Sequence, residues 1–285
     1  MIFGMNTEHE LRCNTNYIGR QYVWLKDTDS TNEVIKRLLK DEATIESIGQ
    51  DLRELIEGDP ADGLVVISDH QTAGKGRSGR AWTDETGASV AMSVLISPRI
   101  EVDDCSKVTL VSALAVVKAI KEVCDMDAGI KWPNDVVIDG RKVCGILTEL
   151  ELSAEEPSLI IGIGLNVNQA DMPDELMDRA ISLYMASGCD TVYDREELIE
   201  AILENLEHYY DVFSKSADMS LLKDEYDSCL VNIGRTVRTT DPKEPIEGTA
   251  KGIDDEGRLL IETVDGVIHP VYAGEVSVRG IYGYV

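Results

Sequence analysis

Aromatic residues make up only 5% of the 285 positions, and just two of them are Phe. A core made from this sequence must be mostly Val, Ile, Leu and Ala, and a hydrophobic content of 43% supplies enough of them. No apolar run reaches the roughly 20 residues that cross a bilayer, so no membrane span is expected. The stretch Met1 to Glu8 lacks a basic region followed by an apolar one, so it does not read as a secretory signal, and the expected location is the cytoplasm. None of the six cysteines, Cys13, Cys105, Cys124, Cys144, Cys189 and Cys229, stands in CxxC spacing, and they read as reduced thiols. His9, His70, His208 and His269 are scattered and give no metal-site spacing. Basic residues are scarce: 27 against 53 acidic ones, for a net charge of −26. That balance argues against a broad basic face for nucleic acid, so no DNA binding is expected. The acidic surface suits either solubility or a salty cytoplasm, and composition does not choose between them.

The chain length suggests one large domain and a smaller one. Residues 1–17 are polar and aperiodic and read as a loose end. Tyr22-Val23-Trp24-Leu25 reads as a short strand. Ser30 followed by Glu33 has the spacing of a capping box, and Val34, Ile35, Leu38 and Leu39 continue at helical spacing. Residues 41–62 read as a second, acidic helix. Leu64-Val65-Val66-Ile67 is a buried strand, Ser89 to Ser97 an alternating one, and 107–124 a long apolar helix. Residues 136–147 form a hairpin whose Asp139-Gly140 turn suits positive φ. Residues 159–167 are another buried strand, and helices fill roughly 194–230. From about 234 the pattern changes to short strands with turn residues, as in a small β-barrel of about 50 residues. The expected boundaries are a flexible segment 1–17, a main domain 18–232 of α+β class, and a barrel 233–285.

Three segments carry chemistry. The eleven residues from Thr72 to Trp82 hold three cations and no acid in an otherwise acidic chain. An anionic ligand would hold Lys75, Arg77 and Arg80 together against their repulsion. Gly74, Gly76 and Gly79 would let the backbone approach it and point N–H groups at it. The same glycines spell GxGxxG, but that fingerprint needs a helix directly after the loop, and a strand pattern follows instead. GxxxxGK[ST] is absent too. The second segment is Lys131-Trp132-Pro133-Asn134-Asp135, where Lys131 ends a short apolar strand. It can either reach into a site or lie on the surface before a turn. The third is Gly162-Ile163-Gly164-Leu165-Asn166, alternating glycines that admit either a packed helix or a flat ligand against the backbone.

Taken together, Ser30-Thr31-Asn32, Gln71, the GKGRSGRAW loop, KWPND, Lys142-Val143-Cys144-Gly145-Ile146-Leu147 and GIGLN resemble the biotin–protein ligase family over residues 18–280. The resemblance implies a class II synthetase-like mixed sheet with flanking helices, plus a small C-terminal SH3-like β-barrel. It implies biotin and ATP as substrates, Mg²⁺ with ligands left open, and a biotin carboxyl carrier domain as partner. A homodimer is one oligomeric state it allows. Ser30, Thr31, Asn32 and Gln71 would bind the ureido ring. Lys75, Gly76 and Arg77 would close over biotin and the acyl phosphate. Lys131 would hold the carboxylate and adenylate oxygens. Gly74, Arg80, Trp82, Lys142 and Asn166 would bind the nucleotide, with Lys131, Arg77 and Arg80 as the catalytic cations. Lys75 stands where many members have arginine, which keeps the charge but loses the planar fork. Some members also carry an N-terminal helix-turn-helix; the polar start of this chain reads as the form without it. A lipoate–protein ligase-like acyl-adenylate transferase and a non-catalytic biotin or adenylate sensor are the competing readings.

Overall fold

A computed structural model describes residues 9–39, 61–83, 85–152, 157–239, 245–272 and 278–280. Its main sheet has seven strands, in the spatial order β1 (Tyr22–Thr28), β2 (Val65–Gln71), β5 (Ser89–Ile96), β9 (Pro157–Asn166), β8 (Arg141–Leu152), β7 (Asp135–Ile138) and β6 (Gly129–Lys131). The β1–β2 pair is parallel and the other pairs are antiparallel, so the sheet is mixed. Two short strands, β3 (Gly74–Lys75) and β4 (Ala81–Trp82), form a separate hairpin.

The sheet is covered on both sides because its central strands are apolar on both. Val90, Met92, Val94 and Ile96 of β5 join Ile161, Ile163 and Leu165 of β9 in the larger core. That core is closed by α2 (Val108–Cys124) and α4 (Arg195–Phe213). The alternation expected for β5 therefore does not mark a solvent face, since all eight of its residues are buried. Its odd-numbered positions instead carry the smaller Ala91 and Ser93 toward the opposite side. There a smaller core of Val23, Leu25, Leu64, Val66, Leu95 and Ile160 packs under α1 (Thr31–Leu38) through Val34, Ile35 and Leu38. Helix α1 is only eight residues long and, among the described residues, leaves the middle of this face uncovered.

Helix α1 begins where the sequence signals it, but the expected capping box does not form. Ser30 makes no side-chain cap hydrogen bond. Glu33 is drawn outward instead, to Lys75 at 2.7 Å and Lys36 at 3.2 Å. The Asp139-Gly140 turn has φ of 51° and 71°, the double positive φ of a tight hairpin. The low aromatic content still reaches the core: Trp132, Tyr210, Phe213 and Tyr226 are among its largest fully buried side chains.

The stretch expected to be loose is tied down over its described part. Helix α4 carries Glu200, Glu204 and Glu207 on one face, and their carboxylates accept from the backbone N–H groups of Arg12, Asn14 and Asn16 to Ile18. Side-chain acceptors substitute there for a neighbouring strand, a pairing that local periodicity cannot announce. The acidic helix expected at 41–62 falls, apart from its last two residues, outside the described residues.

After α3 (Leu183–Ala186), α4 and α5 (Lys223–Cys229), a second antiparallel sheet follows in the order β13 (Ile268–Val271), β12 (Leu259–Glu262), β11 (Glu247–Ile253), β10 (Thr236–Thr239) and β14 (Val278–Gly280). Together these two sheets make the α+β fold. The turn after β11 is docked on the main sheet's helices. Asp227 accepts from Ile253 N–H at 3.0 Å, Lys107 pairs with Glu256 at 2.6 Å, and the Trp132 indole N–H donates to Gly257 O at 3.1 Å.

Candidate active site

The part of the sheet face that α1 leaves uncovered is floored by glycine. Gly145 on β8 pairs directly with Gly164 on β9, and Gly162 follows two residues before Gly164 on the same face. Side chains of any size here would fill the space above the floor. The cleft has a cavity volume of about 50 Å³. One wall comes from Ser30, Thr31 and Asn32 at the start of α1, with Gln71 at the end of β2. The β3–β4 hairpin supplies a second wall with Lys75, Gly76, Arg77 and Trp82. Asn134, Lys142 and Leu147 also line it, together with the apolar Met92, Ile146 and Ile163.

Two side chains of the chain itself pack against the alternating glycines. A Cβ on Gly164 would stand 2.6 Å from Cε2 of Trp82, and one on Gly162 would stand 2.5 Å from Oδ1 of Asn32. The indole lies on the strand, and the amide lies beside it. The loop glycines differ from expectation. The N–H of Gly76 is not offered to a ligand; it donates to Arg80 O at 2.8 Å and closes the hairpin turn. Gly79 takes φ of 72°, and a Cβ on Gly74 would meet Trp82 O at 2.5 Å. The glycines serve the tight hairpin that carries the cations.

The end of the cleft beside α1 is neutral and rich in hydrogen-bonding groups. Thr31 donates its backbone N–H to Gln71 Oε1 at 2.9 Å. The Ser93 hydroxyl lies 2.6 Å from Thr31 Oγ1 and donates to Asn32 Oδ1 at 2.5 Å. Asn32 Nδ2 in turn donates to Glu149 Oε2 at 2.7 Å. Ser30, Thr31 and Asn32 are all buried.

The other end is cationic. Arg77 Nη1 donates to Asn134 Oδ1 at 2.9 Å, so the arginine-bearing hairpin touches the KWPND segment directly. Burial is the largest influence on the Arg77 guanidinium and pulls its pKa below the usual value. Asp135 opposes that pull, and the like charge of Arg80 adds to it. Lys142 pairs with Asp135 at 2.6 Å, and its ammonium lies 6.0 Å from the centroid of the Trp82 ring. Lys75 reaches Glu33 at 2.7 Å. Burial pushes the Glu33 carboxyl up, but hydrogen bonds from Lys75 and Lys36 outweigh it and leave the pKa below normal.

Four of the residues singled out in the sequence lie beside the cleft rather than on its lining. Lys131 is buried on edge strand β6. It pairs with Asp135, Asp135 with Gly145, and Gly145 with Gly164, so Lys131 shares the face of the glycine floor. Two strand spacings, roughly 10 Å, separate its Cα from that of Gly145. Arg80 is exposed on the outer side of the hairpin, and Gly74 is buried in its base. Asn166 is buried at the far end of β9, where it donates to Ile181 O at 3.2 Å and accepts from Gln169 Nε2 at 3.2 Å.

Sequence reading passed over Glu33, Ser93, Asn134 and Glu149. Asn134 lies inside KWPND but was given no role there, and Glu149 stands just past the 142–147 segment; their partners Arg77 and Asn32 are 57 and 117 residues away. Only Ser93, a polar residue inside an apolar strand, carried a local signal.

Comparison with known proteins agrees with this architecture. A family model described as the biotin/lipoate A/B protein ligase family matches residues 44–166, and one described as the biotin protein ligase C-terminal domain matches 233–279. Among solved structures, the biotin protein ligase from Aquifex aeolicus in complex with biotin and ATP superposes with a TM-score of 0.75 at 31% identity, covering 92% of this chain and 99% of that one. The bifunctional ligase/repressor BirA of Bacillus subtilis is 39% identical over 227 residues, 79% of this chain and 69% of that protein. The biotin–[acetyl-CoA-carboxylase] ligase of Mycobacterium tuberculosis is 34% identical over 230 residues, 79% of this chain and 82% of that protein. The chain belongs to the biotin–protein ligase family.

Proposed function

We propose that this chain is an ATP-dependent biotin–protein ligase, with residues 18–232 as its catalytic part and 233–285 as an accessory barrel. One observation carries the reading: a single glycine-floored cleft has a neutral hydrogen-bonding end at Ser30, Thr31, Asn32 and Gln71 and a cationic end at Lys75, Arg77 and Lys142. Biotin has the matching polarity, a cyclic urea at one end and a carboxylate at the other. Ser30, Thr31, Asn32 and Gln71 receive the urea. Lys75, Gly76 and Arg77 cover the arm and the carboxylate, while Trp82 and Lys142 face the nucleotide. Gly74 gives the hairpin room, and Asn166 supports the adenosine end through the segment at Ile181.

In the first step a carboxylate oxygen of biotin attacks the α-phosphorus of ATP. The bond to the bridging oxygen breaks, and pyrophosphate leaves biotinyl-5′-AMP behind. Two anions must approach each other, so the step needs positive charge fixed in place beforehand. Arg77 and Lys75 supply it from the hairpin, Arg80 from the outer side, and Lys131 from the same sheet face. In the second step the neutral amine of a carrier-protein lysine attacks the acyl carbonyl. AMP leaves with the bonding electrons, and the amine loses its proton. Neither step needs a covalent enzyme intermediate. Among the described residues no group of three His, Cys, Asp or Glu could hold a metal ion. Mg²⁺ on the triphosphate would offset part of its negative charge.

The acceptor proposed is the lysine of a biotin carboxyl carrier domain. Duplex DNA is not a proposed partner, because the chain's net charge of −26 opposes a phosphate backbone. Mass spectrometry of the purified protein after incubation with ATP and biotin tests the reading. Tightly held biotinyl-AMP is expected; its absence, with biotin and ATP recovered intact, would refute it. The matched family also includes lipoate ligases. Competition between biotin and lipoate in ATP–pyrophosphate exchange separates the two, with biotin expected to win.

A further inference from the structure

The amide of Asn32 is held between two partners of opposite hydrogen-bonding character. Glu149 Oε2 lies 2.7 Å from its Nδ2. An ionised carboxylate has no proton to give, so the NH₂ group must face Glu149. The carbonyl is thereby turned toward the Ser93 hydroxyl and Gly162, on the cleft floor. Ser93 uses one lone pair of that oxygen, and the second remains for another donor. Glu149 is itself fixed, because its other oxygen accepts from Lys36 Nζ at 2.7 Å. Lys36 gathers two more carboxylates, Glu33 at 3.2 Å and Glu151 at 3.5 Å. Of the three acids around this one lysine, Glu149 is the one that also reaches Asn32.

We propose that Glu149, held by Lys36, is a positioning residue for cyclic-urea recognition: it keeps the Asn32 carbonyl turned into the cleft as an acceptor for a urea N–H. The assignment rests on the biotin reading above. Neither Glu149 nor Lys36 lines the cleft; both act through Asn32. Burial lowers the Lys36 pKa, but hydrogen bonding and attraction from Glu149 and Glu33 outweigh that and raise it, in keeping with a lysine that stays charged.

Glu149→Gln is the sharp variant. Lys36 still needs an acceptor and takes the glutamine carbonyl, so the glutamine NH₂ faces Asn32. The Asn32 amide must then flip, which presents a donor to the urea where an acceptor is needed. A mispaired buried polar group of this kind weakens binding by about ten-fold or more. Calorimetric biotin affinities of the wild type, Asn32→Ala, Glu149→Gln and the double variant form a cycle. Each single variant is expected to lose about ten-fold or more in biotin affinity. The double variant is expected to be no weaker than Asn32→Ala, and ATP affinity is expected to hold throughout. A biotin analogue methylated on a ureido nitrogen supplies a second readout: the wild type rejects it, and Glu149→Gln discriminates far less. Should Glu149→Gln not fold, Lys36→Met removes the ammonium that fixes Glu149 in place, and the same selective loss of biotin is expected. Wild-type affinity in Glu149→Gln, or losses that add in the double variant, would overturn the assignment while leaving the functional reading intact. Wild-type protein that binds no biotin overturns both.

Discussion

Adding one methyl group at Gly164 probes the floor of the cleft. In Gly164→Ala the new Cβ would lie 2.6, 2.7 and 3.0 Å from three atoms of the Trp82 ring. Ordinary carbon–carbon contact is about 3.5–4.0 Å, so the ring must lift by about 1 Å. Trp82 sits on a two-stranded hairpin outside the main sheet, where it is only partly buried. Movement of the hairpin, rather than of the core, relieves the overlap. The stability loss should therefore stay near the low end of overpacking, about 1 kcal/mol, or roughly 2–4 °C in Tm. The chemistry should suffer more. The same hairpin carries Lys75 and Arg77, and a 1 Å misplacement of groups that align reactants costs on the order of 10²-fold. The assay is biotin-dependent exchange of pyrophosphate into ATP, with calorimetric Tm beside it. The expected outcome is about a hundred-fold drop in kcat/KM with a small Tm shift. Trp82→Ala/Gly164→Ala should be no slower than Trp82→Ala alone, because the clash is then gone. A wild-type exchange rate in Gly164→Ala, or losses that add in the double variant, would refute the packing argument.

Three further outcomes follow from other contacts. Arg77→Ala removes both the bond to Asn134 and a half-buried positive charge; kcat for adenylation should fall by on the order of 10²-fold, and a fall under two-fold in exchange assays would remove Arg77 from the reaction. Trp132→Phe loses both the N–H bonded to Gly257 O and the second ring of a fully buried indole, so Tm should drop by more than the roughly 2–4 °C that about 1 kcal/mol for the hydrogen bond alone would give; an unchanged Tm would mean that this side chain does not hold the second sheet in place. Glu207 connects acidity to the N-terminal segment. Burial raises its pKa, but the N–H groups of Tyr17, Asn16 and Ile18 lower it further and leave it below the ordinary 4.5. A depressed carboxyl stabilises the fold above the unfolded value and loses that contribution as pH falls through the folded one. Glu207→Gln should thus lower Tm relative to wild type by a constant amount above about pH 5. The gap should close below pH 4.5, and a gap that widens on acidification would contradict the linkage.

Much of the fold could be read in advance because it follows from local periodicity. The β5 and β9 strands, helix α2, the Asp139-Gly140 turn and the change to short strands near 234 all announce themselves within ten or twenty residues. The cation-rich hairpin and KWPND were also visible, and their meeting at Arg77 and Asn134 is what the site requires. What stayed hidden depends on distant partners. Glu33 has the spacing of a capping residue, yet Lys75, 42 residues on, draws it outward. The glycines of GIGLN admitted a helix or a ligand, and only the folded chain shows Trp82 and Asn32 lying on them. Residues 9–17 carry no period because side chains of α4, rather than a strand, satisfy their backbone. Asn166 lies off the cleft lining, and its bonds to Ile181 O and Gln169 Nε2, 15 and 3 residues away, could not be read from GIGLN.

The most direct test of convergent cations beside a urea-binding end is exchange of labelled pyrophosphate into ATP with and without biotin, in the wild type and in Lys131→Ala. The wild type should exchange label only when biotin is present, and Lys131→Ala should exchange almost none while keeping its Tm. Label exchange without biotin, or full exchange in Lys131→Ala, would contradict the account.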